Sequence, residues 1–229
     1  MDVVVAYLPS ILKGTSITIA VAICSIFLAT MLGLLGACAK LSAAKPANVA
    51  AGFYTTLIRG VPELVLMLLL FYGGQQFLND MGIATGWWGY LEINHFTAGV
   101  CTIGFIYGAY LTETFRGAYL AIPRGQIEAG TACGMTVRLV FARIIWPQLV
   151  RYALPGFGNV WQVLLKSTAL VSLIGLHELV WEAFTAGRST RQLFTFFFVT
   201  LVIYLMMTAV SDVGLRWLDR KYSSGVRRA

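Results

Sequence analysis

Charged residues are scarce in this chain, and their scarcity excludes an ordinary soluble domain. Only 12% of the 229 residues are charged and 58% are hydrophobic, whereas soluble domains carry about 25% charged residues. The phosphate-binding pattern Gly-x-x-x-x-Gly-Lys-[Ser/Thr] is also missing, so we expect no ATP site of the usual kind in this chain. The composition predicts an integral membrane protein.

Cysteine and histidine are also few, and their spacing excludes the familiar metal patterns. The four cysteines are Cys24, Cys38, Cys101 and Cys133. They include no Cys-x-x-Cys pair, and no histidine stands at metal-ligand spacing from another candidate ligand. We therefore expect no metal site, and we expect the cysteines to be small packing residues.

Long uncharged runs are what the sequence has instead. A helix needs about 20 mainly apolar residues to cross a bilayer, with about 17 as the lower limit. Five runs approach or exceed this length, each ending at a charged residue: 14–40, 64–80, 96–113, 152–166 and 192–212. The first run lacks the basic leader of a signal peptide and is too long for one, so it should remain as an anchor. The sequence predicts about five membrane helices in a single all-α transmembrane domain covering residues 1–229.

The basic residues are unevenly distributed along these runs. Of the 17 lysines and arginines, 13 fall in the segment after the first run, the 117–147 loop with its flanking residues Arg116 and Arg151, and the C-terminal tail. Three fall on the opposite side and Lys166 lies within a run. The positive-inside rule then places the N-terminus outside and the C-terminus in the cytoplasm. This topology accounts for the net charge of +7 without nucleic acid, and we expect the tail, Tyr222–Ala229, to lie against the anionic inner leaflet.

The 117–147 loop contains the signals of a short helix. Pro123 suits the first turn of a helix, and Gly134 suits the left-handed residue that ends one. Between them, Ala129, Gly130 and Ala132 are small enough to allow close approach by another protein surface.

A second helical pattern follows Gly134. The apolar residues recur at helical spacing and leave Arg143 on the far side. They are Val137, Val140, Phe141, Ile144 and Ile145. Pro147 predicts a new helix start at the membrane surface.

The loop resembles the EAA loop of bacterial ABC-importer permeases, which runs E-A-A, three residues, Gly, nine residues, Ile, one residue, Leu, Pro. The matching residues are Glu128, Ala129, Gly134, Ile144 and Pro147, while Gly130 and Trp146 replace the third Ala and the Leu. In that family this loop is the coupling helix that docks into a groove on the ATPase subunit. The alternative is an amphipathic cytoplasmic connector without a partner.

Two further segments resemble the polar amino-acid permeases of this family. One is Tyr54–Leu66, which contains Arg59-Gly60-Val61-Pro62, and the second is residues 165–172. Physically, Arg59–Pro62 should interrupt a helix over Asn48–Ile58 at a membrane boundary. The likeness covers nearly the whole chain and is greatest to the Q-type subunits of importers for histidine and for lysine, arginine and ornithine.

The resemblance implies the transmembrane domain of a type I ABC importer in the bacterial inner membrane. It implies a second, similar permease subunit in a pseudo-twofold heterodimer, an ATPase dimer, and a periplasmic binding protein that delivers a basic amino acid. ATP and Mg²⁺ would be bound by the ATPase, and this chain would hold no cofactor. The mechanism would be alternating access driven by the ATPase through the loop.

Polar groups at membrane depth are costly and tend to face a cavity, so they are candidates for the substrate pathway. The candidates are Glu63, Asn159, Gln162, Lys166, Ser167 and Thr168. For Glu63, we favour an ion pair with a base such as Arg59 over a pathway role, because its predicted depth is shallow. The stretch 154–159 should loosen its helix, either along a transport path or as a kink filled by neighbouring helices.

One departure from the family concerns charge. Homodimeric relatives that carry cationic amino acids have acidic residues at the positions of Val160 and Ser167. A cation crossing low-dielectric surroundings needs compensating carboxylates. We therefore hypothesise that a second, different permease chain supplies them.

Several packing and surface features complete the sequence. Small-residue faces at Ala29-Gly33-Ala37 and at Gly104-x-x-x-Gly108 predict close helix packing. Glu113 and Arg116 should form an ion pair. The segment 175–191 is predicted to be external, either a docking face for the binding protein or a solvated loop.

Other functions remain open at this point. An integral-membrane enzyme would use Glu113 or His177, but the ionisable residues scatter to opposite membrane faces, so we assign no catalytic residue. A scaffold subunit without transport activity also remains open, as does an importer of another polar amino acid or an opine.

Overall fold

The computed structural model describes residues 2–223 and is built of helices. In chain order these are α1 (Asp2–Leu41), α2 (Lys45–Gly60), α3 (Glu63–Leu68), α4 (Gly74–Thr85), α5 (His95–Leu120), α6 (Arg124–Ala132), α7 (Val137–Val140), α8 (Trp146–Ser167), α9 (Leu179–Thr190) and α10 (Leu193–Ser223). π-Helical turns at Leu69–Gly73 and Phe141–Ile145 join α3 to α4 and α7 to α8, and a 3₁₀ segment, Thr168–Ile174, follows α8. No strand occurs within the described range, and the all-α prediction is confirmed.

Three helical stretches of the described chain are long and apolar enough to cross a bilayer: Val3–Leu41, Val137–Ile174 and Leu193–Tyr222. The bent pair Lys45–Gly60 and Glu63–Thr85 adds a fourth if it counts as one span. α5 has 26 residues, enough to span, but its glycines, threonines and tyrosines make it less apolar. The count of five spans therefore stays a prediction, and α5 is the helix that decides it.

α1 and α5 pack along each other through small residues, as the sequence predicts. A β-carbon on Gly33 would lie 2.6 Å from the Leu111 Cβ, and one on Gly104 would lie 2.7 Å from the Leu28 Cδ2. Both distances are far below van der Waals contact, so these glycines let the helices approach closely. The two alanines of the predicted α1 face are buried as well.

α2 and α3 meet at a 114° bend. α2 ends at Gly60, Val61 is extended, and Pro62 precedes the first residue of α3. Pro62 has no N–H to donate, which explains the break. The predicted interruption is confirmed, and its place at a membrane boundary stays a prediction. α2 packs against α5, and Glu63 contacts Tyr107 at the midpoint of α5.

α8 stays α-helical through Pro155, so of the two alternatives for residues 154–159 the structure favours packing by neighbouring helices over a loosened stretch. A β-carbon on Gly156 would lie 2.7 Å from the Thr114 Cγ2, and one on Gly158 would lie 3.3 Å from the Leu215 Cδ1. These glycines bring α8 close to α5 and α10. The packing on both sides holds the helix together despite the hydrogen bond that Pro155 cannot make.

Pro147 lies next to the start of α8, as predicted, but no break in the helix precedes it. Ile145 (φ −72°, ψ −55°) and Trp146 (φ −57°, ψ −48°) are both helical. The helix instead widens into the π-helical turn just before Pro147, where the proline leaves a carbonyl without its usual donor.

α10 exposes large apolar side chains along much of its length, including Phe194 and Val210. A helix with so much exposed apolar surface is suited to contact with lipid. The tail predicted to anchor at the inner leaflet, Tyr222–Ala229, lies almost entirely outside the described residues.

Candidate functional site

The two ends of α6 are set by Pro123 and Gly134, as the sequence predicts. Pro123 is the N-cap residue in extended conformation (φ −62°, ψ 124°). Gly134 has φ 78°, and its N–H donates to the Thr131 carbonyl at 2.9 Å, while the Met135 N–H donates to the Gly130 carbonyl at 3.1 Å. This pair of bonds is the Schellman pattern that ends helices. α6 is therefore a well-defined helix of 9 residues.

Gly130 is the point at which α6 packs against the chain's own next helix. It is buried, and a β-carbon there would lie 2.6 Å from the Ile144 Cδ1. The expectation that Gly130 admits a partner's surface is wrong, because Ile144 already occupies that space. Glu128, Ala129 and Ala132 are exposed instead. The side of α6 open to a partner is the one that carries these three residues.

Gln148 ties α6 to the start of α8. Its Nε2 donates to the Gln126 Oε1 at 2.6 Å and to the Ile144 carbonyl at 2.9 Å. Both amide protons are therefore used, one on each helix. Together with the close packing of Ile144 on Gly130, this link places α6 in direct contact with the start of α8.

The exposed side of the loop contains a recess. A cavity of about 290 Å³ lies beside α6. Its lining is mixed, with two charged and four mainly apolar residues: Tyr119, Leu120, Ile122, Arg124, Ile127 and Glu128. The apolar face predicted after Gly134 divides, since Val140 is buried but Val137 and Phe141 are exposed. The loop therefore offers exposed apolar side chains and a recess with charged residues in its lining.

Glu63 begins α3, and its carboxylate meets hydroxyl groups from two other helices. The Tyr107 hydroxyl lies 3.0 Å from each carboxylate oxygen, and the Ser167 Oγ lies 2.9 Å from Oε2. The two hydroxyl oxygens are 2.6 Å apart, so one of them donates to the other. We call Glu63, Tyr107 and Ser167 the carboxylate cluster. It joins α3, α5 and the end of α8.

The ion pair predicted between Glu63 and Arg59 is wrong. No salt bridge within residues 2–223 includes Glu63, and the Arg59 guanidinium lies 5.5 Å from the centre of the Tyr110 ring. Tyr107 lies at the midpoint of α5, and the depth of Glu63 in the membrane stays a prediction. At 1.5 Å per residue, that midpoint is roughly 18 Å from either end of the helix.

Positions 160 and 167 are acidic in the homodimeric relatives but are Val160 and Ser167 in this chain. The carboxylate cluster shows what surrounds one of these positions. Val160 is buried and apolar. Ser167, however, contacts the Glu63 carboxylate, which comes from α3 of the same chain. This chain therefore supplies a carboxylate next to position 167 by itself, and a second permease is not needed to supply one there.

The other pathway candidates make contacts of their own. Asn159 and Gln162 line a cleft of about 450 Å³ between α8 and α10. The Gln162 Nε2 lies 3.4 Å from the Thr208 carbonyl, and its buried Oε1 has no hydrogen-bond partner among the described residues. Thr168 is buried and donates to a carbonyl of the preceding turn, and Lys166 is exposed. Their role in a pathway stays a prediction.

An ion-pair network links α1, α2 and α5 ahead of the loop. Glu113 pairs with Arg116 at 2.9 Å, as predicted, and also with Lys40 of α1. The Lys40 Nζ donates in addition to the Thr55 Oγ1 at 2.7 Å. The sequence did not indicate the part played by Lys40, because the contact depends on where α1 ends beside α5.

Glu178 is a buried acid in a segment that the sequence treated as external surface. Its Oε1 accepts from the N–H groups of Val180 (2.8 Å) and Trp181 (3.0 Å), which caps α9. The Thr18 Oγ1 of α1 lies 3.1 Å from Oε2. Burial raises the pKa of this carboxyl to about 7. Its position just before an apolar helix was the signal available in the sequence.

The remaining candidates from the sequence form no reactive group. All four cysteines are exposed, so their predicted role as packing residues within this chain is wrong. The His177 ring stacks on Trp181 with 4.8 Å between ring centres. No group of metal-binding side chains was found in the described part of the chain, and the expected absence of a metal stays a prediction.

Comparison with known proteins places this architecture among transport proteins. Residues 29–224 match the family described as binding-protein-dependent transport system inner membrane component. The chain is 54% identical over 219 residues to the histidine/lysine/arginine/ornithine transport system permease protein HisQ of Escherichia coli (strain K12), with 96% of each chain covered. It is 41% identical over 217 residues to the octopine transport system permease protein OccQ of Rhizobium radiobacter, with 95% of this chain and 92% of the relative covered.

A solved structure has the same fold. It is a chain from the crystal structure of an amino acid ABC transporter with histidines, with a TM-score of 0.83 and 31% sequence identity. The match covers 95% of this chain and 96% of that one.

Proposed function

The chain belongs to the family of binding-protein-dependent transport system inner membrane components, and we propose that it is the permease subunit of an ATP-driven importer of basic amino acids. Its fold is that of a type I ABC-importer permease. It is a transporter subunit and not an enzyme, with ATP hydrolysis in a separate subunit.

The single observation that carries the proposal is the construction of the 117–147 loop. α6 is held at Gly130 and through Gln148, yet Glu128 and Ala129 are exposed beside the recess. One side of α6 packs on the chain's own helices and the other side is exposed. Such a helix is suited to receive force from a partner that binds the exposed side. The proposed partner at this surface is the ATPase.

The proposed assembly contains four kinds of chain. This permease pairs with a second, homologous permease in a pseudo-twofold heterodimer, above an ATPase dimer that binds ATP and Mg²⁺. A periplasmic binding protein delivers the amino acid. Large apolar side chains exposed near the bend support pairing with another membrane chain: Val49, Phe53, Leu57, Val65 and Leu69.

The proposed orientation follows the basic residues. α6 and the exit of α10 face the cytoplasm, and the N-terminus and α9 face the periplasm, in a bacterial inner membrane. The ATPase then meets α6 on one side, and the binding protein approaches α9 on the opposite side.

The transport cycle is proposed as alternating access between two states. ATP-driven closure of the ATPase dimer displaces α6, and the link at Gln148 moves α8 with it. The cavity between the two permeases opens outward to receive the amino acid, and hydrolysis resets it inward. The loop biases a two-state equilibrium without chemistry of its own.

The proposed substrates are histidine, lysine, arginine and ornithine. The identity with HisQ supports this group. Octopine is a second candidate, since a permease protein of an octopine transport system is 41% identical. Lysine, arginine and ornithine carry a positive charge on the side chain at neutral pH, and the imidazole of histidine carries one when protonated.

Reconstitution tests the proposal. We would co-purify the chain with the ATPase, second permease and binding protein expressed from neighbouring genes, and place the complex in sealed vesicles. We expect ATP-dependent uptake of labelled lysine, arginine or histidine, with ATP hydrolysis stimulated by the loaded binding protein. The control is the same vesicles with an ATPase variant that binds but does not hydrolyse ATP.

Two outcomes would overturn the proposal. Equal uptake of a basic amino acid with and without ATP hydrolysis would remove the coupling. Stimulation by neutral or acidic amino acids alone would remove the substrate assignment.

A further inference from the structure

We propose that the carboxylate cluster of Glu63, Tyr107 and Ser167 binds the cationic side-chain group of the transported amino acid. This inference rests on the proposed function and adds a named contact to it. The ligand chemistry is a guanidinium, an ammonium or an imidazolium, each of which brings N–H donors and a positive charge.

The Glu63 carboxylate has no positively charged partner in the described part of the chain. It contacts the middle of α5. An acidic side chain among the helices of a membrane protein is unfavourable unless a positive charge or a water-filled cavity accompanies it. A cationic substrate would supply the missing charge for the time it is bound.

The hydrogen bonds of the cluster leave room for a ligand. The Tyr107 and Ser167 hydroxyls have two protons between them, and one is used in the contact between the two hydroxyls. Only one remains to donate to Glu63, whose two oxygens offer about four acceptor positions. About three positions are therefore open to the N–H groups of a ligand.

The cluster is also held in place by the helices that carry it. Tyr107 is buried in α5, which fixes the position of its hydroxyl. Glu63 is only partly buried, so the residue is not enclosed by the chain. Hydroxyls anchored in two other helices hold the carboxylate in one orientation, which limits the entropy lost on binding.

The composition of the cluster favours the side-chain cation over the zwitterionic end of an amino acid. Binding both the α-ammonium and the α-carboxylate would require a positive group next to the negative one. Arg59, the nearest base in sequence, lies over the Tyr110 ring instead. A carboxylate with hydroxyls and no base among its contacts fits a lone cation.

Direct binding to the purified full complex tests this assignment. The probes are arginine and citrulline, which have similar shapes but differ in side-chain charge. We expect Glu63→Gln to weaken arginine binding by about tenfold to a hundredfold and to leave citrulline binding unchanged. Glu63→Asp keeps the charge and should retain more of the arginine preference than Glu63→Gln.

Controls separate this result from misfolding and from failure of the proposed function. Glu92→Gln removes the same charge from an exposed position and should leave arginine binding unchanged. Each variant must also assemble with the ATPase in wild-type yield. If the wild-type complex takes up no basic amino acid, the proposed function fails.

Two other results would overturn the inference about Glu63 while leaving the proposed function intact. If the wild-type complex imports arginine while Glu63→Gln binds arginine with unchanged affinity, the cation lies elsewhere, for example on the second permease. An equal loss of arginine and citrulline binding would assign Glu63 a structural role or a contact with the α-ammonium group, and would also contradict the proposal.

Discussion

Gly130 and Ile144 lie so close together that a β-carbon on Gly130 would be 2.6 Å from the Ile144 Cδ1. Both belong to the loop motif, and their contact sets how α6 rests against the helix leading into α8. The atom in the way is the end of a flexible side chain, so a single methyl group can be accommodated by a small shift of Ile144. A larger side chain cannot.

Gly130→Leu should therefore separate α6 from α8 and uncouple ATP hydrolysis from transport. We expect a destabilisation of about 1–3 kcal/mol in this contact, with amino-acid uptake falling more than ATP hydrolysis. The measurement is the ratio of uptake to hydrolysis in reconstituted vesicles. Gly130→Ala should have a much smaller effect.

The matched control for this variant is Gly117→Leu, because a β-carbon on Gly117 meets no atom within 4 Å. Shortening the opposing side chain with Ile144→Ala should partly restore coupling in Gly130→Leu. Equal ratios of uptake to hydrolysis in wild type and Gly130→Leu would show that the contact does not transmit force.

The pair of Lys40 and Glu113 should stabilise the junction of α1 and α5. Their side chains are 17% and 19% exposed, so loss of one partner leaves a poorly solvated charge. We expect Glu113→Gln to lower stability by about 3 kcal/mol, because both Lys40 and Arg116 lose their partner. Lys40→Met should cost less, since Arg116 still pairs with Glu113. The measurement is thermal unfolding of the purified complex.

The exposed pair of Arg216 and Asp212 is the control for this series. Their side chains are 61% and 47% exposed, and Asp212→Asn should change stability by less than about 1 kcal/mol. The double variant Lys40→Met/Glu113→Gln should lose less than the sum of the single variants. Strict additivity would argue that the two residues do not interact.

Glu178 should make the contact between α1 and α9 dependent on pH. Its pKa is raised by burial from 4.5 to about 7, so between these values the folded protein holds a proton that the unfolded chain releases. Stability should therefore fall as pH rises through this window and level off above pH 7, by up to about 3 kcal/mol in total.

Melting temperatures of the wild type and of Glu178→Gln, measured from pH 5 to pH 8, check this prediction. The glutamine keeps the oxygen that caps α9 and removes the titration. We expect the variant to lose the wild-type decline across that range. Parallel curves would mean that Glu178 does not titrate in this window.

Features encoded by short stretches of sequence were predictable. The ends of α6 follow from Pro123 and Gly134, whose backbone preferences act within a few residues. The packing of α1 on α5 follows from Gly33 and Gly104, because the spacing of small residues on a helix is a periodic pattern.

Features that depend on the arrangement of distant helices were not predictable. The partner of Glu63 was expected to be Arg59, a near neighbour in sequence, but the bend between α2 and α3 brings Tyr107 and Ser167 to it. Likewise Gly156 suggested a loosened helix, whereas the nearby Thr114 of α5 gives it a packing role. The same proline and glycine pattern occurs in loosened helices and in continuous helices that pack closely. Only the neighbouring helices distinguish the two cases.

The central claim is that the exposed side of α6 meets the ATPase in the cytoplasm, and thiol crosslinking from Cys133 tests it most directly. Cys133 is exposed and caps the C-terminus of α6. The sample is the co-expressed complex in inside-out vesicles, with the other three cysteines replaced by serine. The control keeps only Cys24, which is exposed within α1.

We expect a crosslinker with one maleimide and one photoreactive group, which needs no thiol on the partner, to join residue 133 to the ATPase subunit, with a yield that changes when ATP is bound. The variant with Cys24 alone should give no such product. If Cys133 instead reacts with a membrane-impermeant reagent added to right-side-out vesicles, or yields no ATPase adduct while the inside-out vesicles still transport, α6 is not the coupling helix.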